Sequence, residues 1–177
     1  AMKKGIVVDF DCRHNSDVFA REAACVMAAN GISVRLFPSL HPTPELSFAV
    51  RYYGATAGIN ITASHNPKEY NGYKVYWSDG AQLPPRHAEA IARQMEEIDI
   101  FTGFSTCDYD EAVRDGRIRL LDDTVDEAFL QKVLSQAIDR AVVERVAENF
   151  KVVYTPFHGC GYRLVPEALK RLGVKHL

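Results

Sequence analysis

The residues of this chain with side chains suited to catalysis are concentrated in one polar segment, Ser64-His65-Asn66-Pro67. The segment directly follows an apolar run that predicts a buried strand, and open α/β sheets bind ligands just beyond their strands. A serine hydroxyl in this position could carry a phosphoryl group. His65 and Lys74 are close enough in sequence to donate hydrogen bonds to a phosphoserine. Mg²⁺ would neutralise the remaining negative charge.

Two other interpretations of this segment stay open on the residues alone. In an ordinary turn, Ser64 and Asn66 would bond to their own backbone, which is the common case for an arbitrary loop. A serine hydrolase would need a base that faces Ser64. His65 is adjacent in sequence and points away in most backbone geometries, and the chain has no G-x-S-x-G elbow.

Composition excludes several classes of protein. The 177 residues are 47% hydrophobic and 25% charged, which is typical of a globular domain. The net charge of -2 argues against a nucleic-acid or anionic-membrane partner, and no apolar run approaches the roughly 18 residues of a membrane span. The four cysteines are widely spaced and form no C-x-x-C pair, so we expect a reduced, cytoplasmic setting rather than zinc or disulfide bonds.

Strand-like and helical patterns alternate along the first part of the chain. Short apolar runs predict strands at residues 6–8, 34–37, 57–61 and 74–77. Helices are predicted after Ser16, with Phe19, Ala23, Val26 and Met27 on the inner face, at 45–53 and after Pro84-Pro85. Asn15 or Ser16 is expected to cap the first helix, and Asn71-Gly72 is a turn signal. This order predicts a three-layer α/β/α domain with a mixed, largely parallel sheet.

The second part of the chain predicts a partial second α/β unit. Residues 101–123 show mixed charge and no period, and we expect an irregular boundary there, near Asp122. Two helices follow from Val125, then a strand at 151–154, a turn at 155–161 and a final helix before Gly173. A further strand is expected where the chain stops, so we interpret the C-terminus as a truncation.

Several of these segments together resemble one enzyme superfamily, the α-D-phosphohexomutases, which include phosphoglucomutase and phosphomannomutase. Thr62-Ala63-Ser64-His65-Asn66-Pro67, followed by residues 71–76, looks like the active-site serine loop of that family. Residues 11–16 are similar to its early D-x-R loop, and residues 35–50 and 154–161 also match. The resemblance covers most of the chain.

The resemblance implies a catalytic role for three residues. Ser64 would be phosphorylated in the resting enzyme and pass its phosphoryl group to a sugar phosphate, through a sugar bisphosphate that reorients and returns the other phosphate. Lys74 matches the family's general acid or base, and His65 matches the histidine that supports the phosphoryl group. The implied cofactors are Mg²⁺, which would touch the Ser64 phosphate, and glucose 1,6-bisphosphate as activator.

Three more residues match family positions that surround the substrate. Arg13 is a candidate phosphate fork, with a surface salt bridge as an equal alternative, and His158 and Gly159 match the loop that opens the second domain. A turn histidine bonded to backbone is at least as common as a ligand contact for His158. The metal-binding aspartates are expected outside this chain. Four aspartates of the boundary region are interpreted as solvated surface charge rather than metal ligands: Asp108, Asp110, Asp122 and Asp123.

The resemblance identifies the chain as an internal fragment of a longer protein. Residues 1–121 would be most of domain 1 with the phosphoserine loop, and residues 122–177 linker helices and the start of domain 2. The expected parent is a phosphoglucomutase acting on a small-molecule sugar phosphate, and the fragment alone is expected to be nearly inactive. A phosphomannomutase, a phosphopentomutase and a non-catalytic module that binds a phosphorylated metabolite or a partner protein are the alternatives. Sugar preference and oligomeric state are left open.

Overall fold

A computed structural model describes residues 2–177 and divides the chain into two compact units, with the division between Leu121 and Asp122. The first unit is built on a five-stranded sheet with the order β4-β3-β1-β2-β5. Its strands are β1 (Ile6–Phe10), β2 (Val34–Leu36), β3 (Ala57–Ile61), β4 (Tyr73–Trp77) and β5 (Ile118–Leu120). Only β4 runs antiparallel to its neighbour, β3, so the predicted mixed, largely parallel sheet is confirmed.

Helices cover both faces of this sheet. The first unit contains α1 (Ser16–Ala29), α2 (Thr43–Tyr52), α3 (Pro85–Glu96) and α4 (Tyr109–Arg114). The crossover β1-α1-β2 runs toward one edge, and β2-α2-β3 runs back past β1 toward the other. Because such crossovers are right-handed, α1 and α2 lie on opposite faces, and α4 packs beside α1. The predicted α/β/α layering is therefore confirmed.

The inner face of α1 differs from the prediction by one residue. Phe19 is 45% exposed, whereas Ala20, Ala24 and Ala28 are buried against the sheet. Small side chains at this spacing let the helix approach the strands closely, so the large apolar residues lie toward the sides. Asn15 occupies the predicted N-cap position, but its backbone is left-handed, with φ 60°, and its side chain makes no capping hydrogen bond.

The region predicted to be irregular contains regular structure. Residues 109–120 form α4 and then β5, which pairs in parallel with β2 at the edge of the sheet. Two of the boundary aspartates are helix caps rather than free surface charges. Asp108 Oδ1 accepts a hydrogen bond from the Glu111 backbone N–H at 2.8 Å, and Asp122 Oδ1 accepts one from Thr124 at 3.0 Å. The helix α4 and the strand β5 were not predicted because each is too short to show a sequence period.

The second unit consists of helices around a short extended segment. It contains α5 (Asp123–Leu134), α6 (Arg140–Val146), a 3₁₀ turn (Cys160–Tyr162) and α7 (Leu164–Leu172), and α5 packs against α7. The strand predicted at 151–154 is wrong, since Lys151 makes only an isolated parallel bridge to His176. No helix within residues 2–177 is long and apolar enough to cross a membrane.

The α2 face of the sheet is packed tightly at one glycine. Val7 pairs with Gly58, and Leu46 and Val50 of α2 lie over them. A Cβ on Gly58 would lie 2.6 Å from Val50 Cγ2 and 3.2 Å from Leu46 Cδ1. Val50 is a β-branched, fully buried side chain with little rotamer freedom. An alanine in place of Gly58 therefore requires Val50, and α2 with it, to shift.

A buried polar pair lies further along the same face. Asp9 and Asn60 are register partners on β1 and β3, and they are 0% and 1% exposed. The Asn60 Nδ2 donates to Thr43 Oγ1 at 2.9 Å. Burial raises the pKa of Asp9 well above its ordinary value, and the nearby charges of Glu45 and Asp11 raise it further, against the backbone N–H groups of Phe10 and His41. Burial therefore favours the protonated form of Asp9 in the folded protein.

We expect Gly58→Ala to lower the free energy of unfolding by about 1–3 kcal/mol, because the added methyl group overpacks the α2 face. Urea denaturation of the 177-residue chain measures the loss. The matched test is Val50→Ala, which should cost less in the Gly58→Ala background than in the original chain, because it makes room for the new methyl group. Equal costs in both backgrounds would contradict this packing.

We expect Asp9→Asn to make the chain more stable at about pH 8, by an amount on the order of 1–3 kcal/mol. Because burial raises the pKa of Asp9 in the folded state, the free energy of unfolding should fall as the pH rises from the ordinary carboxyl range toward the folded pKa. Asn cannot ionise, and the advantage should shrink toward about pH 4. The exposed Asp79→Asn is the control, and parallel pH profiles for Asp9→Asn and the original chain would contradict the prediction.

Candidate active site

The antiparallel return of β4 brings Lys74 to Ser64. The Ser64 loop, defined here as residues 62–72, leaves the carboxyl end of β3 and re-enters the sheet as β4. In the β3–β4 register Lys74 lies opposite Asn60, near the end of β3. Its Nζ donates a hydrogen bond to Ser64 Oγ. Ser64 is exposed and Lys74 is half-buried, so a hydroxyl and an ammonium group meet at a surface that a ligand can reach.

The backbone of Ser64 is held in an unusual conformation. Its φ is 55°, in the left-handed region that non-glycine residues seldom adopt, at a cost of about 1–3 kcal/mol. Its backbone N–H donates to Thr62 Oγ1 at 3.0 Å, and its carbonyl oxygen accepts from Arg13 Nη2. Hydrogen bonds to both the N–H and the carbonyl group of Ser64 thus fix the orientation of its side-chain hydroxyl.

Arg13 reaches the Ser64 loop from the connection between β1 and α1. Its side chain is only 7% exposed, and its Nε donates to Asp11 Oδ2 at 3.1 Å. Its Nη1 donates to the carbonyl oxygens of Pro67 at 2.6 Å and Tyr70 at 3.2 Å. The guanidinium therefore contacts loop backbone at three carbonyl groups.

Ser16 and Asn71, which the sequence did not indicate as site residues, connect to this arrangement. The Ser16 hydroxyl is buried, donates to Asp11 Oδ1 at 2.7 Å and accepts from Asn71 Nδ2 at 2.8 Å. The predicted turn at Asn71-Gly72 is wrong, because neither residue lies in a turn. Gly72 instead passes close to the Thr62 backbone, and a Cβ on Gly72 would lie 2.7 Å from the Thr62 carbonyl oxygen. A strong local turn signal hid the long-range role of Asn71, and a single sequence offers no other signal for it.

The other three predicted site residues, His65, His158 and Gly159, lie in two different units of the chain. His65 is exposed within the Ser64 loop, and within residues 2–177 its ring makes no hydrogen bond. His158 and Gly159 belong to the second unit, in a turn closed by the Gly159 N–H on the Pro156 carbonyl oxygen at 2.8 Å. Phe157 and His158 both have left-handed backbones, with φ 43° and 66°. His158 is exposed, so its ring is open to a ligand.

Asp11 and Ser64 do not make a magnesium site on their own. Mg²⁺ requires several oxygen ligands in near-octahedral geometry. Both oxygens of the Asp11 carboxylate already accept hydrogen bonds from Arg13 or Ser16, and the nearest charge to Ser64 Oγ is the Lys74 ammonium. A phosphate on Ser64 would add oxygen ligands to the Ser64 loop, which also holds the exposed carboxylate of Glu69.

Comparison with known proteins gives relatives along nearly the whole chain. A phosphoglucomutase of Staphylococcus saprophyticus is 38% identical over 94% of this chain and 29% of its own length. A "Probable phosphoribomutase" of Schizosaccharomyces pombe is 36% identical over 98% of this chain and 29% of its own length. A solved structure from Thermus thermophilus, described as a "putative phosphomannomutase", has 29% identity and a TM-score of 0.76, and it covers 97% of this chain and 35% of its own.

The chain thus spans about a third of the length of the relatives it matches. Its residues 1–100 match the sequence model of the family described as "Phosphoglucomutase/phosphomannomutase, alpha/beta/alpha domain I". The match contains the sheet strands β1 to β4 and the complete Ser64 loop. The chain therefore belongs to the phosphoglucomutase/phosphomannomutase family.

Proposed function

We propose that this chain is the phosphoserine-bearing part of a phosphosugar mutase, which exchanges the 1-phosphate and 6-phosphate of a hexose through a sugar bisphosphate. The observation that carries the proposal is the hydrogen bond from Lys74 Nζ to Ser64 Oγ in an exposed loop at the carboxyl end of β3. Family membership and relatives named for glucose and ribose substrates support it. Because the chain spans about a third of these relatives, the activity belongs to the complete protein, and the isolated chain should be nearly inactive.

Transfer from phosphorylated Ser64 breaks the bond between Oγ and phosphorus and forms a bond from phosphorus to a sugar hydroxyl oxygen. That hydroxyl releases its proton, and Ser64 Oγ gains one. Lys74 contacts Oγ directly, so it is placed to supply the proton as Oγ leaves and to remove it when phosphate returns. The protein's main task is to hold the reacting oxygens in place and to neutralise charge on the phosphoryl group.

Other parts of the chain would help to bind the phosphoryl groups. His65 lies in the same exposed loop as Ser64 and would donate to phosphoserine oxygens, while His158 and Gly159 would contact substrate phosphate from the second unit. Magnesium at the phosphoserine oxygens would neutralise negative charge, with its remaining ligands from outside this chain. We further propose glucose 1,6-bisphosphate as activator and a cytoplasmic location, which is supported by four free cysteines.

Glucose phosphate is the first substrate to test. A mannose or pentose phosphate is the next choice within the same chemistry, since the relatives carry names for all three sugar classes. A coupled assay that compares turnover of glucose, mannose and ribose 1-phosphates by the protein from the complete reading frame measures the preference. Turnover of none of the three would contradict the proposal.

Ser64→Ala is expected to lower mutase turnover by roughly 10³-fold or more, because it removes the oxygen that carries the phosphoryl group. The measurement is kcat in the protein from the complete reading frame. Ser78→Ala is the matched control, because Ser78 is an exposed serine beyond β4 and outside the loop. Normal turnover in Ser64→Ala would remove the carrier role from this residue.

Lys74→Met is expected to reduce kcat by roughly 10²–10⁴-fold, the usual contribution of a positioned proton donor or acceptor. Its melting temperature should stay close to that of the original protein, because Lys74 is only half-buried. Lys68→Met provides the comparison, since Lys68 is an exposed lysine of the same loop. If Lys74→Met leaves kcat unchanged, as Lys68→Met should, Lys74 is not the proton donor.

A further inference from the structure

The guanidinium of Arg13 has almost no capacity left for a phosphate. It has five N–H donors. Four of them are used, by Asp11 Oδ2 and by the carbonyl oxygens of Ser64, Pro67 and Tyr70. Its side chain is only 7% exposed, so its charge is largely withdrawn from solvent and paired with Asp11. A phosphate fork would require two parallel donors directed at the ligand.

The contacts of Arg13 are spread along the Ser64 loop. The Ser64 carbonyl lies near its beginning, the Pro67 carbonyl at its centre and the Tyr70 carbonyl near its end. The left-handed backbone of Ser64 is fixed on its amide side by Thr62 Oγ1 and on its carbonyl side by Arg13. The residue whose side chain meets Lys74 is therefore held through its own carbonyl group by Arg13.

Asp11 and Asn71 extend this support to the core of the unit. Asp11 Oδ1 accepts from the Arg13 backbone N–H at 3.0 Å and from the buried Ser16 hydroxyl. Asn71 Nδ2 donates to the same Ser16 hydroxyl at 2.8 Å and to the His14 carbonyl oxygen at 3.3 Å, and its Oδ1 accepts from Gly72 N–H at 2.9 Å. We call these four residues the loop-anchoring group: Asp11, Arg13, Ser16 and Asn71.

We propose that Arg13 is a positioning residue that holds Ser64 in the orientation in which its hydroxyl meets Lys74, with Asp11, Ser16 and Asn71 as its supports. This role replaces that of a phosphate ligand, and it rests on the proposed phosphoserine function of Ser64. A lysine cannot reproduce it, because one ammonium cannot bond three separate carbonyl groups and Asp11 in a fixed plane. A lysine can still attract phosphate as a point charge.

The first test is amide hydrogen exchange on the 177-residue chain, which needs no mutase activity. Arg13→Lys is expected to speed exchange by about tenfold or more at amides of the Ser64 loop, among them Asn66 and Tyr70, and to leave the sheet strands unchanged. Arg35→Lys is the matched control, since Arg35 bonds the Lys4 carbonyl and lies over Tyr53, away from the loop. Unchanged loop exchange in Arg13→Lys would overturn the proposal.

The second test separates positioning from phosphate binding by kinetics in the protein from the complete reading frame. Arg13→Lys and Arg13→Gln should lower kcat to a similar extent, roughly 10²-fold, with KM for the sugar phosphate within about twofold. If Lys preserves kcat while Gln raises KM, Arg13 is a phosphate ligand and the proposal fails. If the original protein lacks mutase activity, the proposed function fails, and the exchange result still reports on the loop.

A milder variant covers the case in which substitutions of Arg13 prevent folding. Asn71→Ala removes the bonds to Ser16 and His14 but leaves the Arg13–Asp11 ion pair intact. It should speed exchange in the second half of the Ser64 loop and lower kcat less than the Arg13 variants do, with the melting temperature within a few degrees of the original. No change in loop exchange for Asn71→Ala would show that the loop-anchoring group does not hold the loop.

Discussion

The bonds from the Arg13 guanidinium to three loop carbonyl groups are the interaction on which the candidate site depends. They join a connection beyond β1 to a loop beyond β3, two neighbouring strands at the centre of the sheet. A buried cation costs desolvation free energy, which a single ion pair does not always recover. Here Asp11 and three carbonyl oxygens accept hydrogen bonds from the guanidinium, so its charge is paired and most of its donors are satisfied.

The sheet supplies the rigid frame that this interaction needs. Parallel pairing of β1 with β3 brings their carboxyl ends together, and the antiparallel β4 returns Lys74 to the same end. The hydrogen-bonded pair of Ser64 and Lys74 is thus carried by one loop and one strand of a single unit. The exposed loop is tied to the buried interior through the Ser16 hydroxyl, which bonds both Asp11 and Asn71.

Sequence patterns predicted most of the first unit because its strands are apolar and bounded by clear breaks. They failed where an element is too short for a period, as in β5, and where small residues rather than large ones face the core, as in α1. The spacing of Ser64 and Lys74 indicated their proximity, since both flank one loop. The long-range partners of Arg13 and Asn71 are backbone groups and a hydroxyl more than 50 positions away, which no local pattern encodes. The burial of the Asp9 carboxyl was not predicted either, because a polar residue near the end of a strand resembles a surface position.

The measurement that tests the central claim most directly is phosphopeptide mapping with intact-mass analysis of the protein from the complete reading frame. The protein would be isolated from cells and compared before and after incubation with glucose 1,6-bisphosphate. We expect one phosphoryl group, located on Ser64, that is gained on incubation or already present at isolation. Absence of phosphate from Ser64 in both samples, or its location on another residue, would show that Ser64 is not the phosphoryl carrier.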